Sequence, residues 1–193
     1  MSGVMNRGEN MISCGPVTLR PIEYKDMDML RELINDPEIA SSVVGFGFPV
    51  SAVQQKVWFE NIYPHENAER FMIEAEGKAV GSLVFDDIDR ENRTGEVGYK
   101  IARPFQGHRY ASYAVRAVMP YLFDEKGIEC IIAYHLDTND PSKRVLEKAG
   151  FIFEGVQRKA VYRNGIRMGL WYWSCSREHY QKIREGQNDA FSG

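Results

Sequence analysis

Pro104-Phe105-Gln106-Gly107-His108-Arg109-Tyr110-Ala111 is the stretch whose reading decides the fold. Before it, Thr94 to Ile101 reads as a strand; after it, the segment from about Tyr110 to Glu125 repeats Ala111, Ala114, Val115, Val118 and Leu122 on one helical face. Gly127 follows as a stop signal. A strand, a tight turn and a helix start together make an anion cradle. The first N–H groups of a helix have no partner within it, and the aligned peptide dipoles add roughly half a positive charge there. A pyrophosphate is the natural guest. By itself one glycine in such a loop is common, and Gly107 also reads as a plain turn residue.

Working outward, the same alternation continues in both directions. Val17-Thr18-Leu19-Arg20 is a short strand closed by Pro21. Asp26 is placed to cap a helix with Met27, Leu30, Leu33 and Ile34 on one face, ended by Asn35-Asp36-Pro37. Ser51 and Gln54 form a capping-box pair ahead of an apolar stripe of Val53, Val57 and Trp58. Phe71 to Ala75 and Ala79 to Phe85 flank Glu76-Gly77-Lys78 as a hairpin. Beyond the central helix come a strand from Ile128 to Leu136, a helix opened by Asp140-Pro141 and closed by Gly150, and a last hairpin around Asn164-Gly165. Pro120, inside the central helix, should remove one backbone bond and kink it. The expectation is an α/β (α+β) fold, one mixed sheet flanked by helices.

Size and composition frame that pattern. A chain of 193 residues suits one domain. Its 44% hydrophobic and 26% charged residues exclude wholesale disorder, a collagen-like fibre and a disulfide mini-scaffold. The net charge of −3 argues against nucleic acid, and no apolar run approaches the roughly 20 residues of a bilayer span. The polar start, Met1 to Gly15, lacks the apolar core of a secretory signal. Cys14, Cys130 and Cys175 lack metal-ligand spacing, so no metal is expected, and reduced thiols fit a cytoplasmic protein. Residues 1–14 and 184–193 read as flexible ends around a domain spanning 15–183.

A second string, Asn139-Asp140-Pro141-Ser142-Lys143-Arg144-Val145-Leu146-Glu147-Lys148-Ala149-Gly150-Phe151, completes the pattern. With the first, it resembles the GNAT superfamily of N-acetyltransferases, on the branch of ribosomal-protein alanine and spermidine acetyltransferases. The resemblance runs from about Val17 to Tyr172 and implies a mixed sheet of about seven strands with about four helices. It implies that the backbone N–H groups of Gln106, Gly107, His108, Arg109, Tyr110 and Ala111 hold the acetyl-CoA pyrophosphate. Arg109 departs from the family's glycine there, leaving the N–H in place and adding a guanidinium. The pantetheine arm is expected to lie along Tyr99 to Arg103, where two parallel strands splay, with the Ile101 region offering an oxyanion donor. Asn139 matches the family's pantetheine-contacting Asn, Ser142 stands near the thioester, and Lys143, Arg144 and Lys148 are candidates for the 3′-phosphate.

The resemblance also says where this chain departs. Leu146 stands where many relatives protonate the thiolate with a Tyr, which leaves Ser142 as the replacement. Val161 stands where some ribosomal-protein enzymes carry a Glu base. Glu96 and His135 are the candidates to relay the amine's proton. Plainer readings accompany each: a turn-forming Asn139, a first-turn Ser142, a solvated Glu96 and a structural His135. The Leu170-Trp171-Tyr172-Trp173 run reads as a buried strand, and the loop from Val43 to Pro49 as a wall of the acceptor site or a cover for the core. Glu154 is expected in a structural hydrogen bond or ion pair. The implied activity is transfer of acetyl from acetyl-CoA to a primary amine, preferably a protein or peptide N-terminus. The alternatives are a polyamine, amino sugar or antibiotic amine, and a non-catalytic CoA-binding regulator. Relatives pair through sheet edges or terminal strands, so a homodimer is one arrangement the resemblance allows.

Overall fold

Strand polarity organises the molecule around one exception. The computed structural model describes residues 4–6, 11–44, 49–61, 67–163 and 165–189. Among these, β1 (Val4–Asn6), β2 (Met11–Cys14), β3 (Val17–Arg20), β4 (Glu69–Ala75), β5 (Lys78–Asp89), β6 (Thr94–Ile101), β7 (Cys130–Leu136), β8 (Ile152–Arg163) and β9 (Ile166–Ser176) form one sheet, ordered 1-2-3-4-5-6-7-9-8. Every neighbouring pair is antiparallel except β6 and β7. A parallel pair needs a crossover, and α4 (Tyr110–Pro120) supplies it.

Side-chain alternation sends the sheet's two faces to different partners. Phe71 and Ile73 join the large cluster with Ala114, Val115, Val118 and Leu146, under α4 and α5 (Asp140–Ala149). Met72, between them, joins a smaller cluster with Leu30, Leu33 and Ile39. That second face is covered by α1 (Met27–Asn35), α2 (Pro37–Ser42) and α3 (Ala52–Glu60).

The class agrees with the sequence; several details do not. Residues 11–14 were expected to be loose, yet β2 pairs with β3 and buries Ile12 and Cys14. The tail expected from Arg184 instead continues α6 (Arg177–Asp189), where Tyr180 stacks on Phe123 at 4.6 Å and Arg184 pairs with Asp124 at 2.8 Å. Asn35-Asp36-Pro37 ends α1 but also starts α2, because the Asp36 carboxylate accepts from the Glu38 and Ile39 amides. Asp26 makes no side-chain cap for α1; its carboxylate faces Arg20 at 2.7 Å and the Glu23 amide at 2.8 Å. The Ser51–Gln54 capping box forms as read. Of the stripe behind it only Trp58 turns inward, with Gln55 and Phe59; Val53 is 73% exposed and Val57 51%. Pro120 ends the α-helical stretch of α4 in helical backbone, and the chain continues directly as a wider π turn at Tyr121–Glu125. Its Lys126 amide reaches back to the Tyr121 carbonyl at 3.0 Å. Of the last hairpin turn, Asn164 lies outside the described residues, as do 45–48 of the loop between α2 and α3.

Candidate active site

The β6–β7 pairing spans only Thr94–Glu96 against Cys130–Ile132. Beyond it β6 stays with β5 as far as Ile101, and β7 stays with β9 as far as Leu136. The two strands therefore part, and a cavity of about 840 Å³ opens between them. Ala102 donates to the Val80 carbonyl on β5 at 2.9 Å. Because N–H groups alternate sides along a strand, those of Tyr99 and Ile101, beyond the last pairing with β7, point away from β5 into the gap. Gln106 Nε2 takes the Ile101 carbonyl at 3.0 Å, fixing the loop against the strand end.

The loop from Gln106 meets α4 as the sequence suggested. The first bond into the helix runs from the Tyr113 amide to the Arg109 carbonyl at 3.1 Å, so the Tyr110, Ala111 and Ser112 amides precede any intrahelical acceptor. Gly107, with φ +81°, turns the chain there. Arg109 also sits in the left-handed region, at φ 64° and ψ 12°. That conformation explains the family's preference for glycine at this position: it is a backbone requirement, which Arg109 meets under strain. Gln106, Gly107, Arg109, Tyr110 and Ala111 all line the cavity. His108 lies outside the lining; its Nδ1 meets the Gln106 carbonyl at 2.8 Å and its ring stacks on Tyr110 at 5.4 Å.

On the α4–α5 face of the gap, the Tyr99 hydroxyl lies 2.9 Å from Ser142 Oγ. Burial pushes the Tyr99 phenol far above its ordinary range, only partly offset by the Ser142 contact, so it keeps its proton. Asn139 is the N-cap of α5, its Oδ1 accepting from the Ser142 amide at 3.1 Å. Its Nδ2 reaches the Ser42 carbonyl at the end of α2, 3.0 Å away. Both ends of the Asn139 amide are thus engaged within the protein. Arg144 and Lys148 line the cavity, whereas Lys143 lies over the Trp171 ring at 5.5 Å.

Glu96 and His135 both line the cavity, but from opposite faces of the sheet. His135 points to the large core and is 5% exposed, with Nδ1 on the Leu136 carbonyl at 2.7 Å and its ring against Trp171 and Trp173. Glu96 sits on the opposite face, in register with Asp86 on one side and Ile132 on the other. Burial raises the Glu96 carboxyl to about 7, reinforced by the Asp86 and Asp87 charges and opposed by a hydrogen bond from Tyr134. A bulge in β5 between Asp86 and Asp89, with Asp87 at φ 48°, turns this acidic pair toward the cavity that both line. Lys100 and Arg70 complete this face. Sequence reading passed over Tyr99 as a side chain, Arg70, Asp86 and Tyr134. They come from strands far apart in sequence, and only the sheet register assembles them.

A gap between parallel strands, with a cradle of free amides at its mouth, is the arrangement an acyl-CoA transferase needs. The profile of the acetyltransferase (GNAT) domain matches residues 17–152, and this chain belongs to that family. It is an N-acetyltransferase. Among its relatives, YdaF of Bacillus subtilis, assigned by name to the ribosomal N-acetyltransferases, is 30% identical over 174 residues, covering 86% of this chain and 93% of its own. In shape the chain resembles the spermidine N-acetyltransferase of Vibrio cholerae bound to CoA and spermine, with TM-score 0.79, 21% identity and coverage of 86% and 98%. It is equally similar to RimL, a ribosomal L7/L12 α-N-protein acetyltransferase bound to CoA, at TM-score 0.78, 22% identity and coverage of 86% and 97%. Those two likenesses speak to the fold alone.

Proposed function

We propose that this protein transfers acetyl from acetyl-CoA to the N-terminal α-amine of a protein or peptide. One observation carries the reading: the gap between β6 and β7 joins the amide cradle on one face to the Glu96 carboxyl, titrating at about 7, on the other. The diphosphate sits on the amides from Gly107 to Ala111, with Arg109 beside it, and the cationic Arg144 and Lys148 lie along the same cavity. The pantetheine arm runs beside β6, and the Ile101 amide faces the thioester oxygen as negative charge develops there. Tyr99, whose hydroxyl lies 2.9 Å from Ser142 Oγ, protonates the departing sulfur in place of the tyrosine that Leu146 replaces. Glu96 receives the amine's proton.

Magnitude favours the α-amine. Deprotonating an amine of pKa about 8 costs roughly 1.4 kcal/mol at pH 7, against more than ~4 kcal/mol for an alkylamine near 10.4. A base titrating at about 7 suits the first task better than the second. The ribosomal assignment of YdaF points the same way. The test is thiol release from acetyl-CoA over matched peptides and small amines. Peptides with a free N-terminus should turn over fastest and N-terminally blocked peptides carrying lysine slowest. Release with small amines alone would move the acceptor to that class, and CoA binding without release on any amine would make the protein a regulator.

A further inference from the structure

The second face of the gap is not uniformly acidic. Arg70 on β4 pairs with Val84 on β5, which pairs with Gly98 on β6. Cα partners share a face, so Arg70, Val84 and Gly98 form one rung across the floor, and Asp86–Glu96 form the next. Gly98 keeps that floor low: a Cβ there would stand 3.3 Å from Val84 Cγ1. The Arg70 side chain lines the cavity, and its Nε is buried with no hydrogen-bond partner among the described residues. The Arg70 guanidinium thus stands on the cavity wall with hydrogen-bonding capacity that the described residues leave unused. Asp86 is an electrostatic neighbour of Arg70 yet leaves that Nε unbonded, and Lys100 adds a second cation on the same wall.

We propose that Arg70 is a specificity residue: it binds a carboxylate carried by the acceptor itself, within the first two residues of an acidic N-terminus. This deepens the N-terminal reading and rests on it. The geometry sets the span. Arg70 and Gly98 are two strands apart, about 10 Å between backbones, and Glu96 is one rung along. An amine held at Glu96 therefore has its own first side chains, advancing about 3.4 Å per residue, within reach of the guanidinium. A polyamine carries no carboxylate for Arg70 to bind.

The experiment uses the full chain, acetyl-CoA and peptides identical except for Asp, Asn or Lys at the second position. The Asp peptide should exceed the Asn peptide by about tenfold in kcat/KM, the worth of one charge-assisted hydrogen bond, with the Lys peptide lowest. Arg70→Gln should erase the Asp-over-Asn difference, and Arg70→Lys should keep most of it, while CoA affinity reports that both variants fold. Equal rates on Asp and Asn peptides, or an equal loss on all three in Arg70→Gln, would overturn the proposal. A parallel pair, γ-aminobutyrate and butylamine, separates it from the broader reading. If peptides fail but the carboxylated amine still wins, the N-terminal acceptor falls and the Arg70 subsite stands; if neither pair shows a carboxylate preference, the subsite falls.

Discussion

Glu96, the base in the proposed reaction, joins a chemical role to a cost in stability. Its folded-state pKa, raised by burial to about 7 from an ordinary 4.5, means the folded protein holds that proton more tightly than the unfolded chain. The stability this confers is complete below pH 4.5 and is lost as pH rises through 7. Activity runs the other way, because only the ionised carboxyl accepts a proton. Glu96→Gln should therefore lower kcat by about 10²-fold or more and remove the limb near pH 7 from the rate profile. The same variant should melt higher than wild type at pH 8 and no differently at pH 4, which thermal melts across pH would show. Arg109 is a second case. Glycine there releases a left-handed strain of about 1 kcal/mol, so Arg109→Gly should melt a few degrees higher, about 2–4 °C. It should also lose about tenfold in CoA affinity by calorimetry, since the amide stays and the guanidinium goes.

At the scale of elements, α5 is positioned by its cap. Asn139 satisfies the Ser142 amide and holds the Ser42 carbonyl of α2, so one side chain ties α5 to α2 across the cavity. Asn139→Ala should cost about 1 kcal/mol for the cap, and more for the freed carbonyl. It should raise KM for both substrates in steady-state kinetics. Ser142→Ala, which leaves the cap intact, should lower kcat while CoA affinity holds; identical behaviour of the two variants would show that the pair acts only through folding. The π turn after Pro120 belongs to this scale too. Proline has no N–H to give, and the turn that follows reorganises its bonds one residue wider. The sequence singled out Pro120 but not the wider turn that follows it.

Across the whole molecule, α2 is held by groups from three distant parts of the chain. Arg103 pairs with Asp36 at 2.7 Å and Glu38 at 2.9 Å, Asn139 holds Ser42, and Arg163 at the end of β8 reaches the Ala40 carbonyl and, at 2.6 Å, the Val43 carbonyl. Ile39, Ser42, Val43 and Val44 line the cavity, so the placement of α2 shapes that cavity, where the proposed acceptor would enter. Arg163→Ala should raise acceptor KM severalfold with CoA affinity nearly unchanged, and should cost roughly 3 kcal/mol in a denaturant melt through two lost charged hydrogen bonds. An effect confined to CoA affinity would contradict this placement.

The sequence by itself determined what local chemistry can encode. Period-two and helical patterning fixed most elements, Gly107 and the helix start fixed the amide cradle, and Ser51, Pro141 and Gly150 marked helix ends that the structure reproduces. Only tertiary structure decided what depends on register. Whether a strand residue faces core or cavity turns on which partner it pairs with, and one step of register reverses it. That is why His135 and Glu96, equal candidates in the sequence, part to opposite faces, and why Tyr99, Asp86 and Arg70 enter the site. It is also why residues 11–14 order, since their polar neighbours concealed a strand that is stable only once β3 offers its edge.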